Sequence, residues 1–145
     1  MKILSENRRA KFDYEILENY EAGIELLGQE VKSVKLGRGN LTGSYAIIRN
    51  KEAWLINSAI PLYQPKNVGG DYEPSRTRRL LMRKEEIASL TGRLHEKGLS
   101  LIPLAFVLKK NLIKVDLGLG KNRKKHDKRE LLKKRAAVRE IARGG

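Results

Sequence analysis

Leu99-Ser100-Leu101-Ile102-Pro103-Leu104-Ala105-Phe106-Val107-Leu108-Lys109-Lys110-Asn111-Leu112-Ile113-Lys114-Val115-Asp116-Leu117 decides the fold class of this chain. Two apolar runs flank Lys109-Lys110-Asn111, a short polar break of the kind that turns a β-hairpin. After the break, Ile113, Val115 and Leu117 fall on one face and Lys114 and Asp116 on the other, a period of two that a helix does not produce. Ser100 and Pro103 interrupt the first run, which is also about half the length needed to cross a bilayer.

Upstream, Ser44-Tyr45-Ala46-Ile47-Ile48 and Glu52-Ala53-Trp54-Leu55-Ile56 surround Arg49-Asn50-Lys51 and predict a second hairpin. Trp54 and Phe106 sit in apolar runs and are expected in the core. Lys84 to Lys97 places Ile87, Leu90 and Leu94 on one stripe and stops at Gly98, which predicts a helix. A shorter helix is expected between Gln29 and Leu36. Tyr14 to Leu26 is ambiguous. Glu15, Glu18, Glu21 and Glu25 would share one helical face, but Ala22-Gly23 argues against an unbroken helix, so strands are preferred. The fold class is therefore mainly β: an OB-like antiparallel β-barrel with a few short helices, a frequent platform for nucleic acid. Fold alone does not fix function.

Charge divides the chain. Lys and Arg number 31 against 17 Asp and Glu, a formal net charge of +14, which predicts a polyanionic partner. Residues 121–145 hold eleven Lys or Arg and three acids, a net +8 that leaves +6 for residues 1–120. The expected organisation is a barrel over 1–120 and a basic tail over 121–145. Leu131 and Leu132 are the only large apolar residues from Asn122 to Arg135, so the free tail is expected to be disordered. From Asp127, a plausible N-cap with Glu130 three residues on, it is expected to fold as a helix when phosphate neutralises it. A merely solubilising tail is the competing reading.

Catalytic signals are thin. The chain has no cysteine, which removes disulfides, thiolate metal sites and thiol nucleophiles. Its two histidines, His95 and His126, have no metal spacing, and His95 sits where a helix C-terminus is expected. Gly118-Leu119-Gly120-Lys121 is followed by Asn122 and departs from the phosphate-loop pattern. The Glu cluster reads more readily as a solvated face than as a cation site. No catalytic residue, metal or cofactor is expected. The first twenty residues hold no apolar stretch longer than Ile3-Leu4, so a cytoplasmic protein is expected.

Binding signals are denser. Arg76, Arg78, Arg79, Arg83 and Lys84 cluster around Leu80-Leu81-Met82, with Arg8, Arg9 and Lys11 as a second basic group. Arg at this density suits bidentate phosphate contacts. Of the three apolar residues, two are expected in the core and one could offer a ledge to an exposed base. Aromatic residues are only 6%, too few for a platform stacking several single-stranded bases, so structured RNA read by shape and backbone is expected.

These residues, in order, resemble the SsrA-binding protein (SmpB) family. The resemblance runs over essentially the whole chain: Asn7-Arg8-Arg9-Ala10, Tyr14-Glu15-Ile16-Leu17-Glu18, Tyr20-Glu21-Ala22-Gly23-Ile24 and Glu30-Val31-Lys32-Ser33. Leu41, Ser44-Tyr45, Pro74, Arg76, Arg78-Arg79-Leu80-Leu81 and Glu86 follow, then Lys97-Gly98, Pro103-Leu104 and Lys124-Lys125-His126-Asp127-Lys128-Arg129-Glu130. The resemblance implies binding to the tRNA-like domain of transfer-messenger RNA, standing in for a missing anticodon arm, and delivery to stalled ribosomes. The tail would enter the empty mRNA channel and fold beside the decoding centre. It implies RNA contacts at Glu21 and Leu81, and contacts near the decoding nucleotides from His126, Asp127, Lys128 and Arg129; the neighbouring tail cations Lys121, Arg123, Lys124 and Lys125 are expected to meet ribosomal RNA with them. A monomer with no membrane or DNA partner is expected. Arg83 stands where the family usually has His or Asn, and Glu73 replaces Asp before Pro74. Asn122 stands where the family has glycine, which leaves open how the tail bends away from the body. The competing readings are a general structured-RNA binder, which would not need His126-Asp127, and a nuclease built on the Glu cluster.

Overall fold

The computed structural model describes residues 1–64 and 70–144. The opening stretch forms strands β6 (Leu99–Lys109) and β7 (Leu112–Asn122), paired along their whole length. Lys110 and Asn111, with φ of 50° and 61°, form the two-residue turn whose double positive φ matches strand twist. The second hairpin, β3 (Tyr45–Arg49) and β4 (Glu52–Ile56), turns the same way at Asn50 and Lys51, with φ of 51° and 62°. Each turn has Asn at one of its two positions, the non-glycine residue best suited to the left-handed region.

The remaining strands are β1 (Lys2–Glu6), β2 (Tyr14–Ile24) and β5 (Arg78–Leu81). All seven strands of the described residues are antiparallel in one sheet of order β1-β6-β3-β4-β5-β2-β7, and the β6–β7 pairing closes it into a ring. The expectation of a mainly β, closed antiparallel fold holds. Tyr14 to Ile24 is one long strand: alternation wins over the acidic spacing because every second residue turns to the core side. β6 shifts register between Pro103 and Ala105, so proline, which has no N–H to give a ladder, stands at a bulge. Buried Asn7 secures that bulge, donating from Nδ2 to the Pro103 and Leu41 carbonyls at 2.9 and 3.2 Å.

Among the described residues, four helices decorate the ring: α1 (Arg8–Asp13), α2 (Gly28–Lys35), α3 (Lys84–Arg93) and α4 (Lys125–Gly144). α3 ends four residues before the expected Lys97. His95 and Glu96 fold into tight turns on Gly92 and Arg93, and Gly98, at φ 83°, completes the reversal into β6. Leu55, Leu80, Leu90, Leu101, Phe106, Val115, Leu117 and Leu119 form the core inside the ring, with Val34 of α2. Trp54 is not among them. On β4 it alternates with buried Ala53 and Leu55, so it lies half-buried on the outer face opposite Arg79. An apolar run alone could not show which of its residues turn outward.

Candidate nucleic-acid interface

Strand alternation splits the Arg cluster in two. On β5, Arg78 and Leu80 point inward, and Arg79 and Leu81 outward. Arg78, expected on the RNA surface, is instead fully buried. It donates to Glu30 Oε2 at 2.6 and 2.9 Å, to the Ser58 and Pro74 carbonyls at 2.8 and 2.9 Å, and to the Tyr72 hydroxyl at 3.0 Å. Arg76, one-third exposed, also donates to Glu30. Both arginines therefore tie the connection between β4 and β5 to α2. Burial alone would raise the pKa of Glu30. Hydrogen bonds from Arg76, the Leu27 N–H, Tyr72 and Arg78 outweigh it and hold the group at about 2.

The outward half builds a groove. Glu21, Arg79, Leu81 and Arg83 line it together, joined by Lys51 from the β3–β4 turn and Lys114 from β7. β2 and β5 bring this about by pairing Gly23 with Leu81. A Cβ on Gly23 would stand 3.3 Å from Leu81 Cβ, so glycine here leaves room for the leucine ledge, which is 47% exposed. Arg79 lies between Glu25 and Glu52 at 3.7 and 3.4 Å. Exposed pairs of this kind contribute little to stability. Glu21 accepts from Lys109 Nζ at 3.2 Å and stands opposite Asp116 in the ladder. Burial, then the neighbouring Glu21 charge, raises the pKa of Asp116. Arg83 precedes α3, its N–H donating to Glu86 Oε1 at 3.3 Å, and Lys84 is exposed on the first turn, just outside the groove lining. No motif marks Lys51 or Lys114 as part of this groove, although the alternation of β7 places Lys114 outward.

A second basic surface begins where β7 ends. The strand continues to Lys121 and Asn122, opposite Glu15 and Tyr14. α4 starts at Lys125, two residues before the expected N-cap, and Asp127 lies in its first turn, Oδ2 accepting from the Lys124 N–H at 3.2 Å. That carboxylate meets the positive end of the helix. Lys121, Lys124, Lys125, His126, Asp127 and Arg129 are exposed. Arg123 and Lys128 are half-buried against α1, where Lys128 Nζ lies 3.1 Å from Asp13. Among the described residues, no group of three or more His, Cys, Asp or Glu is placed to hold a metal, and no helix is long and apolar enough to cross a membrane.

Comparison with known proteins matches residues 4–144 to the family model for SmpB protein. The SsrA-binding protein of Synechococcus elongatus is 50% identical over 143 residues, 99% of this chain and 93% of the relative. That of Synechocystis is 50% identical over the same shares. A chain from a solved structure of tmRNA-SmpB and the bacterial ribosome is similar in fold at TM-score 0.69 and 42% identity, covering 88% of this chain and 92% of that one.

Proposed function

The chain belongs to the SmpB protein family, and from that premise we propose how its two basic surfaces divide the work of ribosome rescue. The protein binds the tRNA-like domain of transfer-messenger RNA and delivers it to stalled ribosomes for trans-translation. The groove between β2, β5 and the start of α3 takes the RNA. Arg79, Arg83, Lys51 and Lys114 supply cations for its backbone, Leu81 offers an apolar ledge, and Glu21 accepts from base or ribose donors. The observation that carries this reading is the convergence of Glu21, Arg79, Leu81 and Arg83, from segments up to 62 residues apart, on one outward surface.

The tail then acts on the ribosome. Its exposed cations from Lys121 to Arg129 face ribosomal RNA in the empty mRNA channel, and His126 stacks near the decoding nucleotides. Away from RNA, α4 is expected to lose order beyond the stretch that the body holds, because like charges along it lack phosphate. The protein works without catalysis, metal or cofactor, as a monomer in the cytoplasm.

Binding of a labelled tRNA-like domain to Arg79→Ala and Leu81→Ala tests the groove. Leu81→Ala removes only a half-exposed ledge and is expected to weaken binding by about 1 kcal/mol with the salt dependence unchanged. Arg79→Ala weakens binding and flattens the salt dependence. Parental binding by both variants would place the RNA elsewhere.

A further inference from the structure

An antiparallel sheet with one face on the core and the other in solvent alternates apolar residues inward with polar residues outward. β3 and β4 break that rule on their outer face. There Tyr45 stands opposite Ile56 and Ile47 opposite Trp54, while Ala46, Ala53 and Leu55 take the buried positions. Ile47, Trp54 and Ile56 line a cavity of about 290 Å³, with Arg49, Asn50 and Thr77 as its polar side. The cavity adjoins the RNA groove, since Glu52 lines both. Trp54 pairs with Arg79 in the β4–β5 ladder, so the two side chains leave the sheet side by side on its outer face. Leu81, two residues along β5, lies diagonally from Trp54, at about 7–8 Å in a regular sheet. Arg79 thus has the exposed ledge of Leu81 on one side and the single tryptophan of the chain on the other.

We infer that Trp54 and this cavity form a subsite for one unstacked nucleobase of the RNA in the groove, the base lying on the indole while Arg79 holds an adjacent phosphate. The inference rests on the reading of the groove as the site for the tRNA-like domain. A nucleotide is the occupant that every part of the subsite fits. Its base has a π-face for the indole and the aliphatic side chains around it, and an edge for the Asn50 amide and the Thr77 hydroxyl. Its phosphate suits the neighbouring guanidinium. An apolar peptide would use Ile47, Trp54 and Ile56 but not the cation beside them. One ring stacks one base, in keeping with an aromatic content too low for a stacking platform. Stacking adds affinity without neutralising charge, so Trp54 and Arg79 leave different signatures in salt.

Trp54 reports on its own site, because no other indole in the full-length protein contributes to the fluorescence. Titration with the tRNA-like domain should quench it in step with binding followed by anisotropy of labelled RNA, and should shield it from acrylamide. Trp54→Leu, which keeps apolar bulk without the ring, should weaken binding by about tenfold with the slope of log K against log salt unchanged. Trp54→Phe, which keeps a ring, should stay within about threefold of the parent. Abasic substitution of loop nucleotides, one at a time, should find one position that weakens the parent but not Trp54→Leu, which identifies the base. Melting of Trp54→Leu within a few degrees of the parent checks its fold; if it melts far lower, the quenching titration on the parent decides instead. Fluorescence unchanged at saturating RNA, or parental affinity in a folded Trp54→Leu, overturns the subsite. Weaker binding with a flattened salt slope would show that the indole acts through Arg79, and overturns stacking. A parent that does not bind the tRNA-like domain removes the rescue reading and the subsite with it, whereas binding with a silent Trp54 removes the subsite alone.

Discussion

A carboxylate removed from water remains ionised only where donors replace its hydration, and Glu30 has donors on both oxygens. Arg76, Arg78, Tyr72 and the Leu27 N–H surround it while its side chain is fully buried. Its folded pKa of about 2 lies below the ordinary 4.5, so its contribution is fully present above pH 4.5 and is lost as pH falls towards 2. That difference corresponds to about 3 kcal/mol, so acid unfolding followed by circular dichroism should show a loss of stability within this window. Glu30→Ala should flatten that limb and destabilise at neutral pH by roughly 3–5 kcal/mol, because it strands buried Arg78. Arg79, one residue on and facing outward, predicts the opposite: Arg79→Ala should leave the melting temperature nearly unchanged and lower the slope of log K against log salt by about 1. Nothing local in Arg78-Arg79 distinguishes the buried cation from the exposed one. The partner that decides it is 48 residues away, so the sequence alone places both on the RNA surface.

Elements with a strong period were legible. The alternation in β7 and the polar breaks before β4 and β7 predicted both hairpins, and the stripe Ile87-Leu90-Leu94 predicted α3. β1, α1 and β5 were not legible, since four to six residues carry too little pattern to separate strand from helix. β5 matters most among these, because its alternation sorts the Arg cluster into scaffold and interface. The boundary between body and tail also moved. Lys121 pairs with Glu15 and Leu99, and Arg123 bonds to α1, so the body's own ladder reaches past residue 120. A chain cut after Arg123 keeps β7 whole. It should therefore melt within a few degrees of the parent and hold the tRNA-like domain with most of its affinity, yet fail in ribosome-dependent tagging. Removal of 124–145 that abolished RNA binding would show that the tail belongs to the first interface.

On the scale of the whole molecule, charge is apportioned by structure. Residues 121–145 carry +8 of the net +14, mostly on the exposed faces of one helix, while the groove sets Lys51, Arg79, Arg83 and Lys114 among Glu21, Glu52 and Glu86. A groove with Glu21, Glu52 and Glu86 among its cations is a poor general trap for polyanions, because each carboxylate repels phosphate placed in the wrong register. The tail has less of that discrimination, and its binding should collapse as salt rises. The proposed reading therefore assigns selectivity to the groove, and this is measurable by competition. The full-length protein would be offered a transfer-messenger tRNA-like domain, ordinary tRNA and an unrelated duplex of equal length at roughly 0.2 M salt, where nonspecific phosphate binding is weakened. Clear preference for the tRNA-like domain is the predicted result; equal binding to all three would contradict the account.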